Sequence, residues 1–391
     1  MNLKKISICF FIYVYIISVI CNCIYATEEN IQNEQNSGEM VIYSESAILM
    51  ESKTGKVLYE KNMNERKYPA STTKILTAII ALEKCELNET AVASANAVNA
   101  IKSGYTKANI QVGETFTIEQ LLNVMMVQSA NEAATIIAEH ISGSVEEFSK
   151  LMNQKAQEIG CKNSNFVNAN GIHNDNHYST AYDLALIARY CMKNDKFRSL
   201  ANMMECSLPR TEFWQDEQVE ENGERIFKNT NKLLLSDNKY YYPYAIGIKT
   251  GFTTPAKNCL ISASNKNGFE TIAVVLHAEA TEEGESARYL DTINLFEYGY
   301  NNYKLDDILK EYPNVAKENE TKQPLALTSE NNDDTPEPPK IPEDEIDITP
   351  LVQIVFGIIL LAIAMIIFIK KGGNKKGKHG YSSNIYKFNL N

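Results

Sequence analysis

Ala47-Ile48-Leu49-Met50-Glu51-Ser52-Lys53-Thr54-Gly55-Lys56-Val57-Leu58-Tyr59 reads as two short β-strands around a polar turn. Two apolar runs of strand length flank a polar segment that contains a glycine. Similar signals return late in the chain. Ala245–Lys249, Cys259–Ser264 and Thr271–His277 are strand-like. Asn267-Gly268, between the last two, suits a tight hairpin because both residues tolerate positive φ. Between these groups the apolar spacing is helical over Ser71–Glu83, Ile118–Val127, Ala130–Ile141, Val145–Ile159 and Thr180–Met192. A last amphipathic helix is expected over Ser286–Tyr298. Strands at both ends with helices between predict a mixed α/β fold: one sheet assembled from both termini, with a helical middle.

On both sides of this region, 40–303, the composition changes. Thr27–Glu39 is polar, and from Ala316 to Thr349 Glu, Asp, Asn, Thr and Pro dominate without any hydrophobic period. Residues 304–349 are therefore expected to form an acidic extracellular tether. Leu351 to Ile369 is apolar except for Gln353, which matches the ~20 residues a bilayer core requires. Lys370, Lys371, Lys375, Lys376 and Lys378 follow it, as on the cytoplasmic side of a span. At the start, Lys4 and Lys5, the apolar run Ile6–Ile20 and Ala26 resemble a secretory signal over 1–26. Cys21 and Cys23 raise the alternative of a lipoprotein, but Ile20 and Asn22 are not the small residues that would precede a lipidated cysteine. The expectation is a single-pass protein of the cell membrane, anchored by a helix over 350–369, with a basic cytoplasmic tail over 370–391 and the folded region on the cell-wall side.

The chain has 391 residues, enough to bury a sizeable core, and its 44% hydrophobic and 22% charged content is that of a globular protein. A formal net charge of -11 argues against nucleic acid as the partner. Outside the signal the cysteines are Cys85, Cys161, Cys191, Cys206 and Cys259, an odd and scattered set without a C-x-x-C pair. That is neither a disulfide framework nor a zinc site, and no motif calls for a cofactor.

Three short motifs carry chemistry. Ser71-Thr72-Thr73-Lys74 follows Pro69-Ala70, so Ser71 is expected to open a helix with Lys74 on the same face. A serine hydroxyl needs a base, and a buried lysine amine can be one near neutral pH. Ser129-Ala130-Asn131 lies between two helical runs: Ser129 could relay a proton and Asn131 could orient a substrate. Lys249-Thr250-Gly251 ends a strand signal, where a peptide can pair with the edge. Lys249 and Thr250 could receive a carboxylate, while Gly251 permits close backbone approach. Lys53-Thr54-Gly55 shows how little a lone Lys-Thr-Gly means; it lies in a turn before Ser71. The ordered set of three, each in its fitting context, is what carries weight.

Together these residues resemble the low-molecular-mass, penicillin-binding D-Ala-D-Ala carboxypeptidases (peptidase family S11). The likeness extends to Pro69–Thr77, to Asn170-Gly171-Ile172-His173 through His177-Tyr178-Ser179-Thr180-Ala181, and to Gly247–Thr253. It implies a β-lactamase/transpeptidase-like fold, an antiparallel sheet flanked by helices plus a helical subdomain. It also implies catalytic Ser71, Lys74 and Ser129, with substrate held by Asn131, Lys249, Thr250, Gly251, Phe252 and Arg288. Backbone N–H groups of Ser71 and Phe252 would form the oxyanion hole, and Arg288 would hold the terminal carboxylate. The implied partners are peptidoglycan stem peptides ending in D-Ala-D-Ala, and β-lactam antibiotics. Asn174 stands where relatives often carry an acid, and the acidic stretch replaces the β-rich second domain of some relatives.

Rival readings are weaker. A β-lactamase would place a water-activating glutamate beyond the Ser-x-Asn motif, but Gly160–Asn174 has no acidic residue. A non-catalytic β-lactam or peptidoglycan receptor would not need Ser71, Lys74 and Ser129 intact. His173 and His177 suggest a metal only weakly, since no third ligand is evident. Tyr240-Tyr241-Tyr242-Pro243-Tyr244 is read as core or groove wall rather than a carbohydrate platform.

Overall fold

A computed structural model describes residues 40–213, 223–282 and 284–314, which fall within one compact unit, Met1–Gln323. Its centre is a five-stranded antiparallel sheet in the order β2-β1-β9-β8-β7. The strands are β1 (Ser46–Glu51), β2 (Val57–Lys61), β7 (Ala245–Thr253), β8 (Lys257–Lys266) and β9 (Phe269–Ala278). The sheet is thus built from both ends of the folded region, as the sequence predicts. Asn267 and Gly268 close the β8–β9 hairpin with φ of 54° and 86°, the positive-φ pair a two-residue turn of matching twist requires.

Both faces of the sheet are covered, and the strand period of two sorts the side chains. Ile48 and Met50 of β1 and Ile272, Val274 and Leu276 of β9 enter the larger core. Ala47, Leu49, Ala273 and Val275 enter a smaller one on the opposite face. The larger core is shared with α1 (Lys74–Lys84), α2 (Ala95–Asn99), α3 (Ile118–Val127), α4 (Asn131–Ser142), α5 (Val145–Ile159), α6 (Ala181–Cys191) and α7 (Asp195–Asn202). The smaller core holds Tyr289, Leu295 and Phe296 of α8 (Ala287–Asn302) and Ile308 of α9 (Leu305–Glu311). That last helix lies beyond Tyr303, where the sequence suggests that the tether begins.

Two small two-stranded sheets escape sequence reading: β3 (Thr90–Val92) with β4 (Thr115–Thr117), and β5 (Glu205–Pro209) with β6 (Glu224–Lys228). The three-residue strands β3 and β4 are too short for an apolar alternation to register, and β5 and β6 carry too many polar residues to stand out. A buried ion pair, Arg225 Nη2 to Glu114 Oε1 at 3.0 Å, joins β6 to the turn before β4.

The signal (1–26), the Leu351–Ile369 stretch and the lysines after it lie outside the described residues. Among the described residues, no helix is long and apolar enough to cross a membrane. The expectation of a single-pass membrane protein is corrected on that finding.

Candidate active site

Ser71 does not open the α-helix. It sits in a 3-10 turn, Ala70–Thr73, from which α1 continues at Lys74. Ala70 adopts φ 49°, which turns the chain sharply, and Thr72 Oγ1 closes the turn by donating to Pro69 O at 2.7 Å. Side chains three apart eclipse in a 3-10 helix, so the expected pairing survives the changed geometry. Lys74 Nζ lies 2.9 Å from Ser71 Oγ.

Lys74 is fully buried. Its amine donates to Asn131 Oδ1 at 2.8 Å and to Asn170 O at 2.6 Å, so every partner is a neutral oxygen. Burial first, then the nearby Lys249, push the Lys74 pKa well below its ordinary value of 10.5, while Glu132 acts in the opposite sense. A neutral amine with two N–H groups donated keeps its lone pair for the Ser71 hydroxyl.

Asn131 is the first residue of α4 and also donates through Nδ2 to Thr106 O at 3.0 Å. Glu132 beside it is buried and accepts the backbone N–H of Ala108 at 2.6 Å. These bonds hold the segment before Ile110 against the helix start. Ser129, in the tight connection from α3, adopts φ 70°. On the opposite side runs β7, the edge strand of the sheet. A Cβ built on Gly251 would sit 3.1 Å from the Ser71 backbone nitrogen and 3.0 Å from Pro69 O, so a bare backbone is needed for this approach. Arg288, near the start of α8, donates through Nη1 to Gly251 O at 3.3 Å, and its Nε is buried without a partner.

These elements enclose a cavity of about 210 Å³ lined by Ser71, Ser129, Asn131, Thr250, Gly251, Phe252 and Arg288. Lys74 and Lys249 lie buried behind the lining, with Lys249 Nζ 3.3 Å from Thr250 O.

The D-alanyl-D-alanine carboxypeptidase family (Peptidase S11) matches residues 31–280. The chain belongs to this family. The D-alanyl-D-alanine carboxypeptidase DacF of Bacillus subtilis (strain 168) is 31% identical over 318 residues, covering 78% of this chain and 77% of the relative. The D-alanyl-D-alanine carboxypeptidase of Streptomyces sp. (strain K15) is 33% identical over 264 residues, 64% of this chain and 85% of that one. The crystal structure of the Streptomyces K15 DD-transpeptidase superposes with a TM-score of 0.59 at 30% identity, covering 67% of this chain and 99% of that one.

In this member of the S11 family, several cavity residues carry no signal that the three motifs would reveal. Thr230 lines the cavity, and its hydroxyl meets that of Thr250 at 2.6 Å. Asn229 and Asn231 on either side form successive side-chain turns, the one local sign of a fixed loop. Gly104, Tyr105 and Thr106 also line it, without any local motif. Asn170 and Gly171 belong to the loop that the sequence places under the site, and the structure adds how closely they fit there.

His173 and His177 are loop histidines with protein partners. His177 accepts Val167 N–H at Nδ1, 3.1 Å, and meets Thr73 Oγ1 through Nε2 at 2.8 Å, leaving no nitrogen for a metal. Burial, His173 and Lys74 lower its pKa to about 3, so the ring is neutral. Among the described residues, Cys85, Glu89 and His140 are the trio of donor residues spaced to hold an ion; they lie outside this cavity. Tyr240 and Tyr242 are buried, stacked on Tyr289 and Phe296 respectively, as core residues.

Lys249 gives a prediction on stability. Burial, then Arg288, lower its pKa to about 7. From pH 7 towards the ordinary lysine value of 10.5, the unfolded chain holds a proton that the folded chain lacks. Stability from this group therefore rises with pH across that window and is lost as pH falls towards 7. Denaturation midpoints of wild type and Lys249→Met, measured from pH 7 to 10, are expected to show the rise flattened in the variant. Parallel curves would mean that Lys249 keeps its proton in the fold.

Proposed function

We propose that the described unit is the catalytic domain of a serine-type D-Ala-D-Ala carboxypeptidase that removes the terminal D-alanine from peptidoglycan stem peptides. The observation that carries this reading is the 2.9 Å contact of Ser71 Oγ with a fully buried Lys74 amine that has no carboxylate partner. Ser71 Oγ attacks the carbonyl of the penultimate D-alanine while its proton passes to Lys74 Nζ. Backbone N–H groups of Ser71 and Phe252 receive the oxyanion. On collapse the C–N bond breaks, and Ser129 relays the proton from Lys74 to the departing amine of D-alanine. Water then attacks the acyl ester, returning Ser71 and the shortened peptide. A β-lactam is attacked in the same way, but its leaving nitrogen stays tethered, so the acyl-enzyme persists.

Asn131, Lys249, Thr250 and Gly251 bind substrate in this scheme. The substrate's backbone pairs with β7, and its terminal carboxylate meets Thr250 and Arg288. The buried, unpartnered Nε of Arg288 supports that last role. Incubation of the protein with a peptide ending in D-Ala-D-Ala is expected to release D-alanine; no release would sink the reading. Arg288→Ala is expected to raise KM strongly, by roughly ten-fold or more, for the peptide acid. The corresponding amide lacks the charge and should lose much less. Equal losses on both would make Arg288 a support of Gly251 rather than a carboxylate receptor.

A further inference from the structure

A second cavity, of about 450 Å³, is lined by Arg66, Lys67, Tyr68, Asp175, Tyr178, Pro255 and His277. Three separate chain segments connect it to the first. Tyr68 lines the second cavity and Ser71 the first; Asp175 the second and Ile172 the first; Pro255 the second and Thr253 the first. Three strands of chain cannot each pass from one cavity to the other within three residues unless the two are neighbours. The two cavities are therefore neighbours, spanned by the segments 68–71, 172–175 and 253–255.

The direction from one to the other follows from β7. Thr250 is placed to meet the terminal carboxylate and Phe252 the scissile carbonyl. A peptide paired with this edge strand then continues past Thr253 towards Pro255. The part that arrives there is the inner portion of the donor stem, on the side away from the departing D-alanine.

The second cavity has a charge to offer. Lys67 is engaged by Glu45 at 2.5 Å and Glu65 at 2.7 Å, and His277 Nε2 lies 3.3 Å from Glu45. Asp175 lies 3.3 Å from His173. Arg66 is exposed, and among the described residues no carboxylate pairs with it. Its guanidinium instead rests 4.5 Å from the centroid of the Tyr178 ring, which holds the fork in place while leaving its N–H groups available. A planar cation on an aromatic ring is suited to a carboxylate.

We propose that the Arg66–Tyr178 cavity is a binding subsite for the inner residues of the stem peptide, with Arg66 receiving a carboxylate carried there. This rests on the carboxypeptidase reading above and adds a second point of selection, remote from the scissile bond. It acts on longer substrates only.

Three substrates test it: a short blocked peptide ending in D-Ala-D-Ala, a full pentapeptide stem with a free inner carboxylate, and the same stem with that carboxylate amidated. Arg66→Ala is expected to lower kcat/KM about ten-fold on the acidic stem, with little change on the short peptide and the amidated stem. Arg66→Glu should lower it further on the acidic stem alone. Exposed Arg66 makes no ion pair in the fold, so both variants should lose at most a few degrees of Tm, from the Tyr178 contact. Equal changes on all three substrates, or none on the acidic stem, would overturn the subsite. Failure of the wild type to release D-alanine from any of them would instead remove the carboxypeptidase reading beneath it.

Discussion

Ser71→Ala is expected to abolish D-alanine release and covalent capture of penicillin together. Losing the nucleophile of a cooperating set costs on the order of 10³–10⁶ in rate. The hydroxyls beside it in sequence cannot take over. Thr72 Oγ1 is buried and donates to Pro69 O at 2.7 Å, and Thr73 Oγ1 is engaged by His177 at 2.8 Å. Lys74 keeps Asn131 and Asn170 as partners, so the fold should survive the loss of one half-buried oxygen. Mass spectrometry of the intact variant after incubation with penicillin reads the result directly. An adduct of penicillin mass on the variant would place the nucleophile elsewhere.

Much of this site was legible because each motif is local. Ser71 and Lys74 are three residues apart, and either kind of helix brings them together. The edge strand reads from Ala245–Lys249, and Asn267-Gly268 announces the hairpin that stacks β8 on β9. The sequence could not show that α1 begins only at Lys74, because that depends on Ala70 adopting φ 49°. Nor could it show Thr230, which reaches Thr250 across a loop and an edge strand twenty residues apart. The wall made by Gly104, Tyr105 and Thr106 is set by the side chains of Asn131 and Glu132 on a distant helix start. Long-range hydrogen bonds of this kind leave no period in the chain. The tyrosine run was readable in outline only. Which of its rings are buried depends on where α8 places Tyr289 and Phe296.

The contribution of the loop beneath the nucleophile is visible only in three dimensions, and Gly171→Ala is expected to expose it. Gly171 has φ 81°, and a Cβ there would lie 1.8 Å from Ala70 O and 2.9 Å from Thr73 Oγ1. No heavy-atom contact of 1.8 Å is tolerated, so either the turn carrying Ser71 or the loop must move. The loop is tied down on several sides. Gly171 N donates to Asn168 Oδ1 at 2.7 Å, Thr77 Oγ1 donates to Ala169 O at 2.7 Å, and Lys74 Nζ donates to Asn170 O at 2.6 Å. Retreat of the loop therefore pulls an acceptor away from Lys74, and retreat of the turn moves Ser71 Oγ away from Lys74 Nζ. A displacement of about 1 Å at reacting atoms can cost on the order of 10²-fold in rate, which is the expected fall in penicillin acylation. Overpacking should also lower stability by about 1–3 kcal/mol. Gly268→Ala is the control. It carries the same backbone penalty, at φ 86°, but its added Cβ meets nothing within 4 Å. That variant should lose a little stability, about 1–2 kcal/mol for a non-glycine residue in the left-handed region, and acylate at the wild-type rate. If Gly171→Ala acylated as fast as Gly268→Ala, the loop would be scaffolding that the Ser71–Lys74 geometry does not need.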